Sequence, residues 1–139
     1  MRRHSAARSS MPTDYEIDKM AGIIRFDVRG AITTEEMFQT LDRVVADPDF
    51  RAGMKVLSDH RRMETVVTSD FLMAFVRYLD ELGEAFRGST WALVEASEAG
   101  YGMGRVASAL TEFQSVDMQV FRDIDQARRW LEAEAPARP

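Results

Sequence analysis

Apolar residues fall along this chain in two rhythms that take turns. Ile24, Phe26 and Val28 alternate with Ile23, Arg25 and Asp27, the period of a half-buried strand. A shorter run, Tyr15 to Asp18, precedes it across "KMAG", so the two form a hairpin with its turn near Gly22. The rhythm then changes. Thr33 and Glu36 have capping-box spacing, and Met37, Leu41, Val44 and Val45 share one helical face until Pro48 stops the helix. "MKVLSD" is a short strand, apolar at Met54, Val56 and Leu57, and the charged "DHRRMETVV" reads as a loop. A second helix runs from Thr68 or Ser69 to about Phe86 with Leu72, Phe75, Val76, Leu79, Leu82 and Phe86 as its stripe. Gly88 then stands where a left-handed cap is wanted.

"TWALVEA" is continuously apolar, as a strand covered on both faces should be. A third helix faces inward with Met103, Val106, Ala107, Leu110 and Phe113. "VDMQVF" is the last strand. The last helix, "DIDQARRWL", has Asp123 and Gln126 at capping spacing and Ile124, Ala127, Trp130 and Leu131 inward. The order is β-β-α-β-α-β-α-β-α, an α/β domain. Strands alternating with helices imply parallel pairing through right-handed crossovers, with the first hairpin as an antiparallel edge.

Composition narrows the picture. A chain of 139 residues, 45% hydrophobic and 29% charged, suits one globular domain with a full core. The absence of cysteine removes disulfides, thiolate metal sites and cysteine nucleophiles together. Net charge is -5, yet the first ten residues hold three arginines and no acid, so the body is more acidic still. That argues against nucleic acid and anionic membranes as partners. Residues 1–13 read as a disordered basic tail without the apolar run of a secretory signal, 14–133 as the domain and 134–139 as a C-terminal tail. Met11 offers a second start besides Met1. No run of eighteen apolar residues predicts a spanning helix.

The element order, with "VRGAITTEEM", "KVLSDHR", "FRGSTWALVEASEAGYGMGRVASAL" and "VFRDIDQARRWL", resembles the SpoIIAA-like branch of the STAS domains over residues 14 to 133. The resemblance implies a mixed sheet of about five strands with helices mainly on one side. It also implies a non-enzymatic regulatory or protein-interaction module of the bacterial cytoplasm. The branch is similar to apolar-ligand carriers of the CRAL-TRIO kind as well, which implies the alternative of a small apolar ligand held between sheet and helices. Regulatory members carry a phosphorylated serine in a pattern close to Asp-Ser-Ser/Thr-Gly. Here that stretch is "TSDF", with Ser69 on the serine position and the other three positions changed. The alternative role for Thr68 or Ser69 is an N-cap.

Asp59, His60, Arg61 and Arg62 fall at the carboxyl end of a strand, where open α/β sheets bind ligands. His60 offers an acid-base group and the arginines can clamp an anion, but no serine or cysteine with a fixed base is identifiable beside them. Single histidines outside the tail make no metal site, and no cofactor is implied. Gly100, Gly102 and Gly104 follow a strand and enter a helix, as a phosphate loop does, but the spacing is wrong. Glu95 and Glu98 add negative charge there, and Ser97 is the better N-cap. Close packing is the preferred reading of these glycines. Ser97, Tyr101 and Arg105 join Asp59, His60 and Arg61 as ligand- or partner-loop candidates. The nine methionines read as core filler with a capacity for irregular apolar ligands. Partners expected are a protein, a second copy joined through an open sheet edge, or an apolar small molecule.

Overall fold

The computed structural model describes residues 2–3, 13–65 and 67–133. Its strands are β1 (Arg2–Arg3), β2 (Thr13–Asp18), β3 (Ile23–Gly30), β4 (Lys55–Met63), β5 (Thr90–Val94) and β6 (Asp117–Phe121). Its helices are α1 (Thr34–Ala46), α2 (Ser69–Glu81), α3 (Glu98–Thr111) and α4 (Ile124–Ala133). The five strands β2 to β6 are the mixed sheet expected, and the two-residue β1 adds to its edge by antiparallel pairing with β2. Thr13 is the first residue of β2 and is 1% exposed. Residues 1, 4–12 and 134–139, which hold most of the two tails assigned from sequence, lie outside the described residues.

Spatial order follows chain order from β1 to β6, antiparallel as far as β3 and parallel beyond it. This decides where the helices go. Three right-handed crossovers stepping in one direction place α1, α2 and α3 on the same face. Their buried residues, among them Leu41, Val44, Leu72, Phe75, Leu79 and Ala107, pack with Tyr15, Ile17, Ile24, Phe26, Val28, Val56 and Trp91 in the main core. Among the described residues α4 alone covers the other face, setting Ala127 and Leu131 against Leu57, Ala92 and Val94. All five residues of β5 are buried, so its unbroken apolar run is the mark of a strand covered twice.

Local chemistry sets the ends of the elements. Asp18 closes the hairpin by accepting from the Ala21 N–H through Oδ1 at 3.0 Å, and Gly22 takes a positive φ of 71°. The Thr33–Glu36 capping box is formed in both directions, at 3.1 and 2.8 Å. Pro48 leaves Asp47 extended at the end of α1, where its Oδ2 accepts from the Tyr15 hydroxyl at 2.9 Å. Asp123 caps α4 by accepting from the Asp125 N–H at 2.8 Å.

Four expectations need correction. The charged stretch from Asp59 to Met63 is strand, because β3 runs on to Gly30 and pairs with it past a register shift. Charges that read as a solvated loop are matched on the sheet: Arg62 pairs with Asp27 at 2.9 Å, and Arg61 with Asp59 at 2.8 Å. Helix α2 stops at Glu81, so the left-handed glycine just beyond it is Gly83 (φ 66°) rather than Gly88. Phe86 still reaches the core, from the turn that follows. Val106 on α3 and Phe113 on the 3-10 turn that follows it point outward, 45% and 86% exposed.

Candidate functional site

Between the sheet and the three-helix layer, at the carboxyl ends of the parallel strands, lies a cavity of about 280 Å³. Phe26, Trp91, Leu93 and Met118 of the sheet form one wall, and residues of α1, α2 and α3 the other. Four of the nine methionines, Met37, Met63, Met103 and Met118, line it. Methionine suits such a wall because its unbranched chain adapts to irregular apolar shapes. A second hollow, of about 330 Å³ at the other end of the sheet, is lined by Lys19, Asp49, Arg51 and Lys55 together with Ala21, Ala52 and Met54.

Arg61, Glu64, Thr65 and Ser97 also line the cavity, and a hydrogen-bonded polar cluster is set into its sheet wall. Side chains two apart on a strand share a face, so Ser58 and His60 both point from β4 toward the helices. Ser58 lies opposite Leu93 of β5, and the same register carried two residues on brings His60 beside Glu95. The Glu95 N–H donates to the Phe121 carbonyl at 2.8 Å, which holds this residue in line beyond the end of β5. The result is a chain of hydrogen bonds. Ser58 Oγ lies 2.7 Å from His60 Nε2, and His60 Nδ1 lies 2.5 Å from Glu95 Oε2. The serine and the glutamate are each 5% exposed and the histidine side chain 12%, so the chain sits in a largely water-free wall. A neutral imidazole that donates to the carboxylate from Nδ1 leaves Nε2 to accept from the hydroxyl.

The glycines at the start of α3 serve this arrangement. A Cβ on Gly100 would stand 2.5 Å from Glu95 Oε1 and 3.0 Å from Ser97 Oγ, so its hydrogen leaves room for the carboxylate. A Cβ on Gly104 would stand 2.8 Å from Val120 Cγ2, so α3 lies directly on β6 there. Gly102 faces open space. Close packing therefore accounts for two of the three glycines. Ser97 is the N-cap, its Oγ accepting from the Gly100 N–H at 2.9 Å.

The other residues singled out from sequence are dispersed. Asp59 points to the opposite face of the sheet and holds Arg61 through two bonds of 2.9 and 2.8 Å. Burial pushes the Asp59 carboxyl up, but the guanidinium and N–H of Arg61, with the charge of Arg62, outweigh it and hold it below the usual carboxylate range. Arg61 reaches the cavity rim with its head committed to that pair. Tyr101 stacks under Arg122, 4.4 Å from ring centroid to guanidinium carbon, and neither it nor the exposed Arg105 lines the cavity. Thr68 is the N-cap of α2, accepting from the Phe71 N–H at 3.1 Å, and Ser69 is the exposed first residue of the helix.

Ser58 and Glu95 were missed. The statement that no serine with a fixed base stands beside His60 is corrected by Ser58 Oγ at 2.7 Å. Two signals were in the sequence: the Ser-x-His alternation in a strand, and an acid closing the apolar run "TWALVE".

This architecture agrees with the comparisons to known proteins. A model of the SpoIIAA-like family matches residues 23–132. The chain belongs to the SpoIIAA-like family. A crystal structure of a protein with a SpoIIAA-like fold from Shewanella loihica PV-4 matches with a TM-score of 0.54 and 20% identity, covering 78% of this chain and 83% of that one. At that identity the likeness concerns the fold. A comparison with curated proteins gives no match. As a SpoIIAA-like domain the chain is a module of STAS type, and among the described residues no helix is long and apolar enough to cross a membrane.

Proposed function

We propose that this SpoIIAA-like domain is a binding module for a small, mainly apolar molecule that carries one hydrogen-bonding group. The observation behind the reading is the cavity itself: mainly apolar and methionine-rich, with the hydrogen-bonded cluster of Ser58, His60 and Glu95 set into its wall and Arg61, Glu64, Thr65 and Ser97 also lining it. Ligand sites have this make-up, many apolar contacts and a few convergent polar groups. At about 280 Å³ the cavity stands at the lower end of such sites, roughly 300–1,000 Å³, so the ligand is small. Of the two readings open at the level of sequence, a regulatory or protein-interaction module and a carrier of a small apolar ligand, this is the second.

Trp91 lines the cavity, whereas the other tryptophan, Trp130, packs with Phe121 beside the α4 face. A Trp130→Phe variant therefore reports on the cavity through Trp91 alone. Titrated with decyl alcohol, its emission should change saturably, and Met103→Trp, which fills the space, should weaken that binding at least tenfold in a competition assay. An unchanged Trp91 signal up to the solubility limit of the alcohol would sink the reading.

A second reading, contact with a protein partner, draws on Met73, Val106 and Phe113, which expose 47%, 45% and 86% of their surface on α2, α3 and the turn after it. Exposed apolar side chains on neighbouring helices suit a docking face. Phe113→Asp should then reduce capture of that partner without changing the response of Trp91. Ser69, exposed at the head of α2, is where a phosphate switch on such an interface would act, since the capping role belongs to Thr68. Equal partner binding by Ser69→Asp and Ser69→Ala would dismiss it.

A further inference from the structure

We infer that Ser58 is a nucleophile and that the class of molecule it acts on is a small apolar carboxylic ester. The inference rests on the binding reading above, because the ester must occupy the same cavity. Three observations carry it. The connectivity is that of a nucleophile, a base and an orienting acid: hydroxyl on Nε2 at 2.7 Å, carboxylate on Nδ1 at 2.5 Å. All three side chains line one apolar cavity, where exclusion of water strengthens each interaction. Glu95 is anchored from both sides, by its backbone bond to Phe121 and by the absence of a side chain at Gly100. A buried carboxylate held this closely keeps the proton on Nδ1 and leaves Nε2 free to accept one.

The chemistry balances without a cofactor. Ser58 Oγ adds to the ester carbonyl carbon as its proton passes to His60 Nε2. The bond from that carbon to the alkoxide oxygen breaks, the alkoxide takes the proton from Nε2, and Ser58 is left acylated. Water then adds to the acyl carbon, giving its proton to the same nitrogen. The bond to Oγ breaks, and Ser58 recovers its proton. Ester and water become acid and alcohol. Ser97, the N-cap of α3, and Gly100 in its first turn line the same cavity, so an ester carbonyl turned toward them would meet the positive end of the helix dipole. Glu95 contacts no reacting atom in this scheme and acts as a positioning residue.

The test uses the full chain and an alkyl fluorophosphonate, which phosphonylates an activated serine with loss of fluoride. Mass spectrometry should find one adduct, on the peptide that contains Ser58. Ser58→Ala should abolish it. His60→Gln should slow it by about 10²–10⁴-fold, the usual contribution of a general base, and Glu95→Gln should flatten the pH dependence of the labelling rate, which a merely structural role would not do. Prior saturation with decyl alcohol should protect the wild-type protein, a control that requires no variant to fold. No adduct while decyl alcohol still alters Trp91 emission would overturn the nucleophile and leave the binding reading standing. No adduct and no emission change would overturn both. An adduct on a different serine would also overturn the assignment.

Discussion

Alanine at Gly102 and at Gly104 should move stability in opposite directions, although the two positions lie two residues apart on the same helix. Both substitutions remove the flexibility of glycine from a helix interior, a gain of up to ~1 kcal/mol each. At Gly102 the new methyl meets nothing within 4 Å, so the gain stands. At Gly104 it would lie 2.8 Å from Cγ2 and 3.1 Å from Cβ of Val120. Valine is branched at Cβ and has no flexible end to swing away, so either α3 lifts from β6 or β6 bends. Forcing a methyl into a packed interface costs about 1–3 kcal/mol, which exceeds the propensity gain over most of that range. The two variants should therefore differ by about 1–3 kcal/mol. With a urea slope of roughly 1–3 kcal/mol per molar, their midpoints should separate by on the order of 1 M, Gly102→Ala above the wild type and Gly104→Ala below. Val120→Ala supplies the control. In that background the Gly104→Ala penalty should shrink by ~0.5–3 kcal/mol, the coupling expected of residues in contact. If Gly104→Ala raises the midpoint as much as Gly102→Ala, the close approach of α3 to β6 is wrong.

Gly100→Ala would place its Cβ 2.5 Å from Glu95 Oε1, so it should push the carboxylate out of its bond to His60 and slow fluorophosphonate labelling of Ser58; unchanged labelling would detach Gly100 from the site. The Asp59 carboxyl is held below its usual range when folded, so its contribution to stability is full above that range and is lost as pH falls through the lowered value. Acid titration of the urea midpoint should thus show a fall below about pH 4 that is reduced in Asp59→Asn, and identical pH profiles would refute the pairing with Arg61. Thr33→Ala removes one half of the capping box and should cost about 1 kcal/mol, read from the same denaturation curves.

How much of this was legible in the chain follows from the range of the forces involved. Strand and helix periods, the Thr33, Thr68, Ser97 and Asp123 caps and the stop at Pro48 all depend on residues within a few positions of one another, and the sequence carried each of them. The resemblance in its phrases carried the family as well. The length of β4 was not legible, because Asp59 to Met63 becomes strand only when Gly30 and Arg29 of the neighbouring strand supply partners for its backbone and Asp27 a partner for Arg62. The outward turn of Val106 and Phe113 depends likewise on where α2 and β6 come to lie.

The site divides in the same way. His60 was singled out by its residue type and its place near a strand end, but it shares a face with Ser58 only because β4 runs on through it against β3. Tertiary structure decided the rest. Glu95 lies 35 residues away in sequence and meets His60 only because β4 and β5 are adjacent and parallel in one particular register. A shift of one residue in that register would send Glu95 to the α4 face. The cavity, too, exists only once three crossovers in the same direction have laid α1, α2 and α3 over one side of the sheet. Local sequence sets the period and ends of each element; which buried polar groups finally touch is set by strand register and helix placement, which act across the whole fold.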